Sequence, residues 1–332
     1  MRKFFSLFLT VLFVTQLLQA QDFSNRGKDF WIAYPSHIDG TASVMGLYIT
    51  SDQNAVGTIE AGGTTISFTV TANTVTRKFL GPNAAGDAPN TGVHLSSQDG
   101  IEVGKGIRVK SDKPVVVYAH IIRSARSGAT LVLPVSVLSK EYIIPSYRNV
   151  GSQGTNGGYG ELAVVATDTN TVVEITPVVN SRNGARAAGV AYTVTLANPG
   201  DVYQVQFQQN ADISGTAVRS VAVNGIKCKK IAVFSATTWT AFDCTTPVAS
   251  GGDNLFQQPF PTTSWGKNFL TAPFFSNPLN IDIVRVFVKD PSTIVQKTEA
   301  GVTTTLTGLI NGSYYEYATG NPTAISADKH AS

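Results

Sequence analysis

Charge is scarce in this chain of 332 residues: Asp, Glu, Lys and Arg make up 14 % of it, against roughly 25 % in an ordinary soluble protein. The 25 basic and 22 acidic residues leave a formal charge of +3. So weak a field excludes electrostatic capture of nucleic acid or of an anionic membrane. Intrinsic disorder is excluded as well, because 42 % of the residues are hydrophobic and disorder couples high charge to low apolar content. After residue 20 no stretch holds a helical period over three turns. None there is apolar for the roughly 20 residues that a membrane span needs. Histidine is limited to His37, His94, His120 and His330, none in a paired metal-ligand spacing. Neither a Gly-x-Ser-x-Gly elbow nor a Gly-Lys-Ser/Thr phosphate loop occurs. Ser36, His37 and Asp39 lie too close in sequence to converge as a catalytic triad. The chain therefore reads as a non-enzyme without cofactor or metal; an exported hydrolase with an unrecognised site is the minor alternative.

The first segment present is an address. Arg2 and Lys3 precede the apolar run Phe4–Val14, and Leu18-Gln19-Ala20 offers a small residue for cleavage. Residues 1–20 thus have the three-part form of a secretory signal peptide. A polar surface of Thr, Ser, Asn and Gln fits an exported protein with no membrane span after cleavage.

The rest is built from strand signals. Val, Ile, Thr and aromatic runs bounded by Gly, Pro, Asn or Asp occur at Ser67–Thr71, Ile107–Lys110, Pro114–His120, Leu162–Ala166, Tyr192–Leu196, Val202–Phe207, Ile231–Phe234 and Ile283–Val288. The class is all-β. Internal repetition organises it. Gly27-Lys28-Asp29-Phe30 returns as Ser139-Lys140-Glu141-Tyr142 and as Gly266-Lys267-Asn268-Phe269. Pro134 and Pro261 precede the second and third copies at the same distance. Ile59 stands as far before Lys113 as Ile175 before Lys229. Tandem β-sandwich-like repeats follow: residues 21–138, 139–265 and 266–332. The lysines Lys28, Lys140 and Lys267 read as structural, kept wet beside aromatics Phe30, Tyr142 and Phe269 that bury. Ile325-Ser326-Ala327-Asp328-Lys329 matches Val109-Lys110-Ser111-Asp112-Lys113, but the hydrophobic strand that follows Lys113 has no counterpart. The third repeat reads as truncated, part of a longer protein with an unpaired sheet edge.

Cys228 and Cys244 are the two cysteines. They flank Ile231–Ser235 and Trp239–Phe242, and a hairpin turning at Ala236-Thr237-Thr238 would set them opposite each other. An even count in an exported chain makes one disulfide the expectation, with two free buried thiols as the alternative.

Ligand-contact candidates are few. Arg123 with Arg126, and Arg182 with Arg186, form two arginine pairs on polar loops. Such pairs suit an extracellular protein or glycoprotein partner, although solvated loop charges are the plainer reading. The glycine-rich stretch Gly151–Gly160, with Tyr159, is a long loop able to make contacts. Tyr203, Tyr314, Tyr315 and Tyr317 could stack on sugars, but alternating strand aromatics read first as core. Asp168 and Asp212 read as turn formers rather than calcium ligands.

Together these motifs carry a resemblance. It rests on Gly27-Lys28-Asp29-Phe30, on Ala129–Pro134 running into Ser139–Tyr147, on Val164-Val165-Ala166-Thr167, on Lys230–Ser235, on Asp253–Gln258 and on Trp265-Gly266-Lys267. Over residues 26–332 the chain resembles the N-terminal domain of the IgGFc-binding protein family, of the bacterial exported, gliding-motility-associated type. The resemblance implies a cell-surface or secreted module for binding or adhesion within a larger protein. Fc binding is implied only by the family's name. The alternative is a structural spacer that displays other domains.

Overall fold

The computed structural model describes residues 24–81, 90–150, 157–241, 252–274 and 281–332. The expected signal peptide, Cys244 and the first part of the glycine-rich loop lie outside the described residues. The fold is all-β, in antiparallel sheets.

One strand dominates the first part. The strands are β1 (Gly27–Ile32), β2 (Val44–Thr50), β3 (Ala55–Ala61), β4 (Thr64–Val70), β5 (Val75–Phe79), β6 (Asp99–Glu102), β7 (Ile107–Arg123) and β8 (Arg126–Val132). The two runs Ile107–Lys110 and Pro114–His120 join into the single 17-residue β7. Its first half pairs with β1 and β3, and its second half with β2 and β8. Pro114 sits where β7 leaves one sheet for the other, the place where a missing N–H disrupts no ladder.

The second group repeats the pattern with β9 (Glu141–Ile143), β10 (Gly160–Ala166), β11 (Thr171–Thr176), β12 (Tyr192–Leu196), β13 (Val202–Gln206), β14 (Ala217–Ser220), β15 (Ile231–Thr240) and β16 (Asp253–Gln257). Here the long strand is broken in two. β14 pairs with β9 and β11, and β15 pairs with β10 and β16. Between them Asn224 and Gly225 both take positive φ, at 49° and 82°, the conformation that an Asn-Gly hairpin turn requires.

The third group comprises β17 (Gly266–Thr271), β18 (Asp282–Phe287), β19 (Val295–Glu299), β20 (Val302–Thr305), β21 (Tyr314–Thr319) and β22 (Thr323–Ala331). Register links all three groups. Phe30 faces Val109, which faces Ile59. Tyr142 faces Val218, which faces Ile175. Phe269 faces Ile325, which faces Lys297. The aromatic of each opening motif thus holds one rung of an equivalent ladder. Phe30 and Tyr142 are fully buried and Phe269 partly so, while Lys28, Lys140 and Lys267 are exposed.

The hairpin reading at the cysteines is corrected. Ile231–Thr240 is one continuous strand, buried throughout. Its hydroxyls keep it in place: Ser235 Oγ donates to Pro145 O (2.8 Å), Thr238 Oγ1 to Gly157 O (3.2 Å) and Thr240 Oγ1 to Arg148 O (2.7 Å). Residues that read as a turn are strand residues whose polar tips are satisfied by neighbouring loops. Opposed Cys228 and Cys244 therefore lose their geometric basis. Cys228 is a free, half-buried thiol among the described residues.

The first two groups also share a sheet and a core. The sheet β16-β15-β10-β13 takes β6 of the first group as its next strand. One face of that sheet, with Leu162, Val164, Tyr203 and Val233, packs into the second core. The opposite face, with Ala163, Val165, Ala232, Phe234 and Phe256, packs into the first. Burial on both faces explains why β10 and β15 read as unbroken apolar runs rather than as alternation.

Candidate binding cleft

The expected contact arginines are drawn into the fold. Arg126 makes a two-point ion pair with Asp39 (2.7 and 2.8 Å) and stacks on Trp239. Arg123 is exposed at the same β7–β8 turn. Arg186 Nε donates to Asp99 Oδ2 (2.9 Å), and its guanidinium lies over the ring of Tyr192. Tyr203 OH donates to the other oxygen of Asp99. Arg182 covers the ring of Tyr159 at 3.8 Å and donates to Gln206 Oε1 (2.7 Å). Gln206 in turn donates to Glu161. Glu161 is fully buried, and burial pushes its carboxyl up to about 8. Arg182 and Tyr159 are thus brought together, above a buried carboxyl, whereas Arg126 and Arg186 are spent on internal partners.

Asp168 pairs with Lys229 and Asp212 with Arg285. Among the described residues no three His, Cys, Asp or Glu gather as metal ligands. Ser36 Oγ donates to Leu95 O, away from His37. Tyr203 is core, and Tyr314 and Tyr315 are buried in the third group.

A wide opening lies elsewhere, between the second and third groups. It is a cavity of about 730 Å³. The segment after β9 supplies Pro145, Ser146 and Tyr147, β16 supplies Leu255 to Gln257, and β18 supplies Asp282, Ile283, Arg285 and Phe287. Trp265, Phe287 and Tyr314 cluster beneath it, with the Phe287 and Tyr314 ring centres 5.1 Å apart. Burial pushes the Tyr314 phenol up to about 12, so it stays neutral. At the rim Phe274 is 75 % exposed and Phe260 49 %. Exposed aromatics gathered around one opening mark a recognition surface more often than a resting one.

Arg285 fastens the two groups. It donates to Ser146 O (2.7 Å), Asp212 Oδ2 (2.8 Å) and Ser214 Oγ (2.8 Å) across the boundary, and to Glu316 (2.7 Å) within its own sheet. The rings of Tyr147 and Tyr314 sit against its guanidinium at 4.7 and 4.8 Å. Sequence reasoning missed this residue. Its one signal was an arginine at the centre of the apolar run Ile283–Val288, where an unpaired charge would be costly. The cleft offers apolar surface, aromatic faces and a strand edge; its lining holds neither a histidine nor a cysteine.

The family model described as IgGFc binding protein matches residues 128–332. No curated protein matches. A solved structure from work on the host cell surface retention of a 1.5-MDa bacterial ice-binding adhesin aligns over 84 % of this chain and 81 % of its own, at 14 % identity and a TM-score of 0.12. A score that low adds nothing to the fold, which rests on the ladders above.

Proposed function

The chain belongs to the IgGFc binding protein family, and from that membership we propose that it is a non-catalytic module, cell-surface or secreted, that binds an extracellular protein or glycoprotein. The observation that carries this reading is the cleft between the second and third groups, floored by Trp265 and Phe287, which pack on Tyr314, and rimmed by exposed Phe274 and Phe260. Aromatic anchors around a concave apolar surface are where binding energy concentrates. The spacer reading draws support from the serial repetition of one ladder. The cleft favours binding over it.

The test is a titration of residues 21–332 against immobilised antibody Fc and against mucin glycoprotein, with heat-unfolded chain as control. Saturable binding by the folded chain, weakened at least tenfold in Phe274→Ala plus Phe260→Ala, is the expected result. Absence of binding to either ligand overturns the binding reading and leaves the spacer.

A further inference from the structure

The sheet made by β5, β2, the second half of β7 and β8 has one face in the first core and one turned outward. Leu47 and Ile49 of β2 and Val117 and Ala119 of β7 take the inner side. Alternation puts Tyr48 and Tyr118 on the outer side, directly across the ladder from each other. Arg77 of β5 stands across from Tyr48 on the other flank. The next rung of the same face is Phe79, Gly46 and His120. Gly46 lets the rings of Phe79 and Tyr48 close over the strand, since a Cβ there would already touch them at 3.4 and 3.5 Å. The Arg77 guanidinium lies 4.8 Å over the Phe79 ring, and the Tyr48 and His120 rings meet edge-on at 5.9 Å. Between Tyr48, Tyr118, His120 and Val75 lies a shallow hollow of about 420 Å³.

Charge and packing narrow what this platform can hold. The face carries no carboxylate, and burial holds the His120 imidazole below its ordinary range. Arg77 is therefore its one fixed charge, exposed and without an ion pair among the described residues. The second group shows the same face covered by protein. Its equivalent rung is Gln204, Ala163 and Phe234; the two apolar residues pack into the first core, and Gln204 donates to Ser36 and Ser97 of the first group. With Arg77, Tyr48 and Tyr118 in those places, the same covering would bury an unpaired guanidinium. A peptide strand gains no ladder here either, because β2 and the second half of β7 are paired along both edges. Recognition is left to ring faces, side-chain tips and one cation.

We propose that this face is a glycan site for a sugar that carries a carboxylate. The C–H face of a pyranose lies on Tyr48 and Tyr118, whose rings are apolar and whose hydroxyl tips meet the sugar hydroxyls. The carboxylate supplies the charge that the face lacks, and the planar fork of Arg77 takes it at two points. The site is separate from the cleft between the second and third groups and does not depend on it.

Calorimetric titration of residues 21–332 with sialyllactose, with digalacturonate and with neutral lactose tests the proposal. At least one acidic sugar is expected to bind saturably, one per chain, and more weakly at high salt; which of the two binds identifies the source of the carboxylate. Lactose binds about tenfold more weakly or worse. Arg77→Gln brings the acidic sugar down to the lactose level, and Tyr118→Ala weakens it by about tenfold or more. Arg77→Gln changes only an exposed side chain, so it decides the matter even if Tyr118→Ala proves less stable. No binding of either acidic sugar, equal binding of lactose, or undiminished binding by Arg77→Gln overturns the proposal. So does a glutamate octapeptide that binds as tightly as the sugar, which would make the face a protein-docking surface. Phe274→Ala plus Phe260→Ala leaves sugar binding unchanged, so this site and the cleft fail separately.

Discussion

One buried carboxyl, Glu161, gives this protein's stability a pH dependence that can be isolated. Glu161 is buried, and its burial raises the carboxyl from 4.5 to about 8, with the Gln206 bond opposing the rise. In the unfolded chain the same group ionises above 4.5. Between those values the folded state holds a proton that the unfolded state has released. Stability contributed by this residue therefore falls as pH rises from about 4.5 to 8, by up to about 1.4 kcal/mol per unit. Glu161→Gln keeps the shape and the acceptor for Gln206 but cannot ionise. Thermal unfolding should show the variant matching the native protein at pH 4.5 and exceeding it at pH 8, by roughly 2–4 °C for each kcal/mol recovered. An unchanged difference between the two pH values would show that Glu161 is ionised in the fold.

At the scale of the strand, one rung is filled differently in each group. Gly57 faces Ser111, Val173 faces Ser220 and Val295 faces Ala327 in equivalent ladder positions. Glycine is needed in the first because a Cβ there would collide with the ring of Phe68 and with Lys110 O. Phe68 lies across the backbone of β3, in the manner of an aromatic that shields a strand glycine. Gly57→Val is expected to cost about 1–3 kcal/mol, the usual range for overpacking. Adding Phe68→Ala should recover part of that loss, and urea unfolding of the single and double variants measures it. Strand existence was legible along most of the chain, since Val, Ile and aromatic runs identified β7, β10, β13 and β18. The boundaries were not. The polar Ala236-Thr237-Thr238 stretch reads as a turn, yet the ladder carries it because Thr238 finds Gly157 O. Lys113-Pro114 reads as a break, yet β7 passes through it while changing sheets. In both cases the deciding partner lies far away in sequence.

For the whole molecule the decisive fact is which groups share a core. The first two are locked together by Ala163, Val165, Ala232, Phe234 and Phe256, which belong to the second group by sequence and pack into the first. The third has a small core of its own and is held to the second through Arg285. Calorimetry should show two transitions, the lower one belonging to residues 266–332 and lost on their removal. Arg285→Met leaves Asp212 without its partner, and breaking such a partly buried pair should destabilise that lower transition by about 3 kcal/mol. A single cooperative transition in the native chain would show that the third group is not separable. Repetition in the sequence pointed to serial copies and was silent on any shared core, because Leu162 and Ala163 are both apolar and nothing local says that they face different cores. The cleft was invisible for a related reason: it is assembled from β9, β16 and β18, each unremarkable alone.

The uninterrupted course of β7 also determines how the molecule yields when pulled. A load reaching β7 meets β1 and β3 along its first half and β2 and β8 along its second. Neither sheet of the first group can part without the other. The second group has no such tie, because β14 and β15 are joined through the Val223–Ile226 turn. There the β12-β11-β14-β9 sheet can slip while the central sheet holds, and the turn pays out as slack. Under tension the second group lengthens first and acts as the extensible link beside a stiff one.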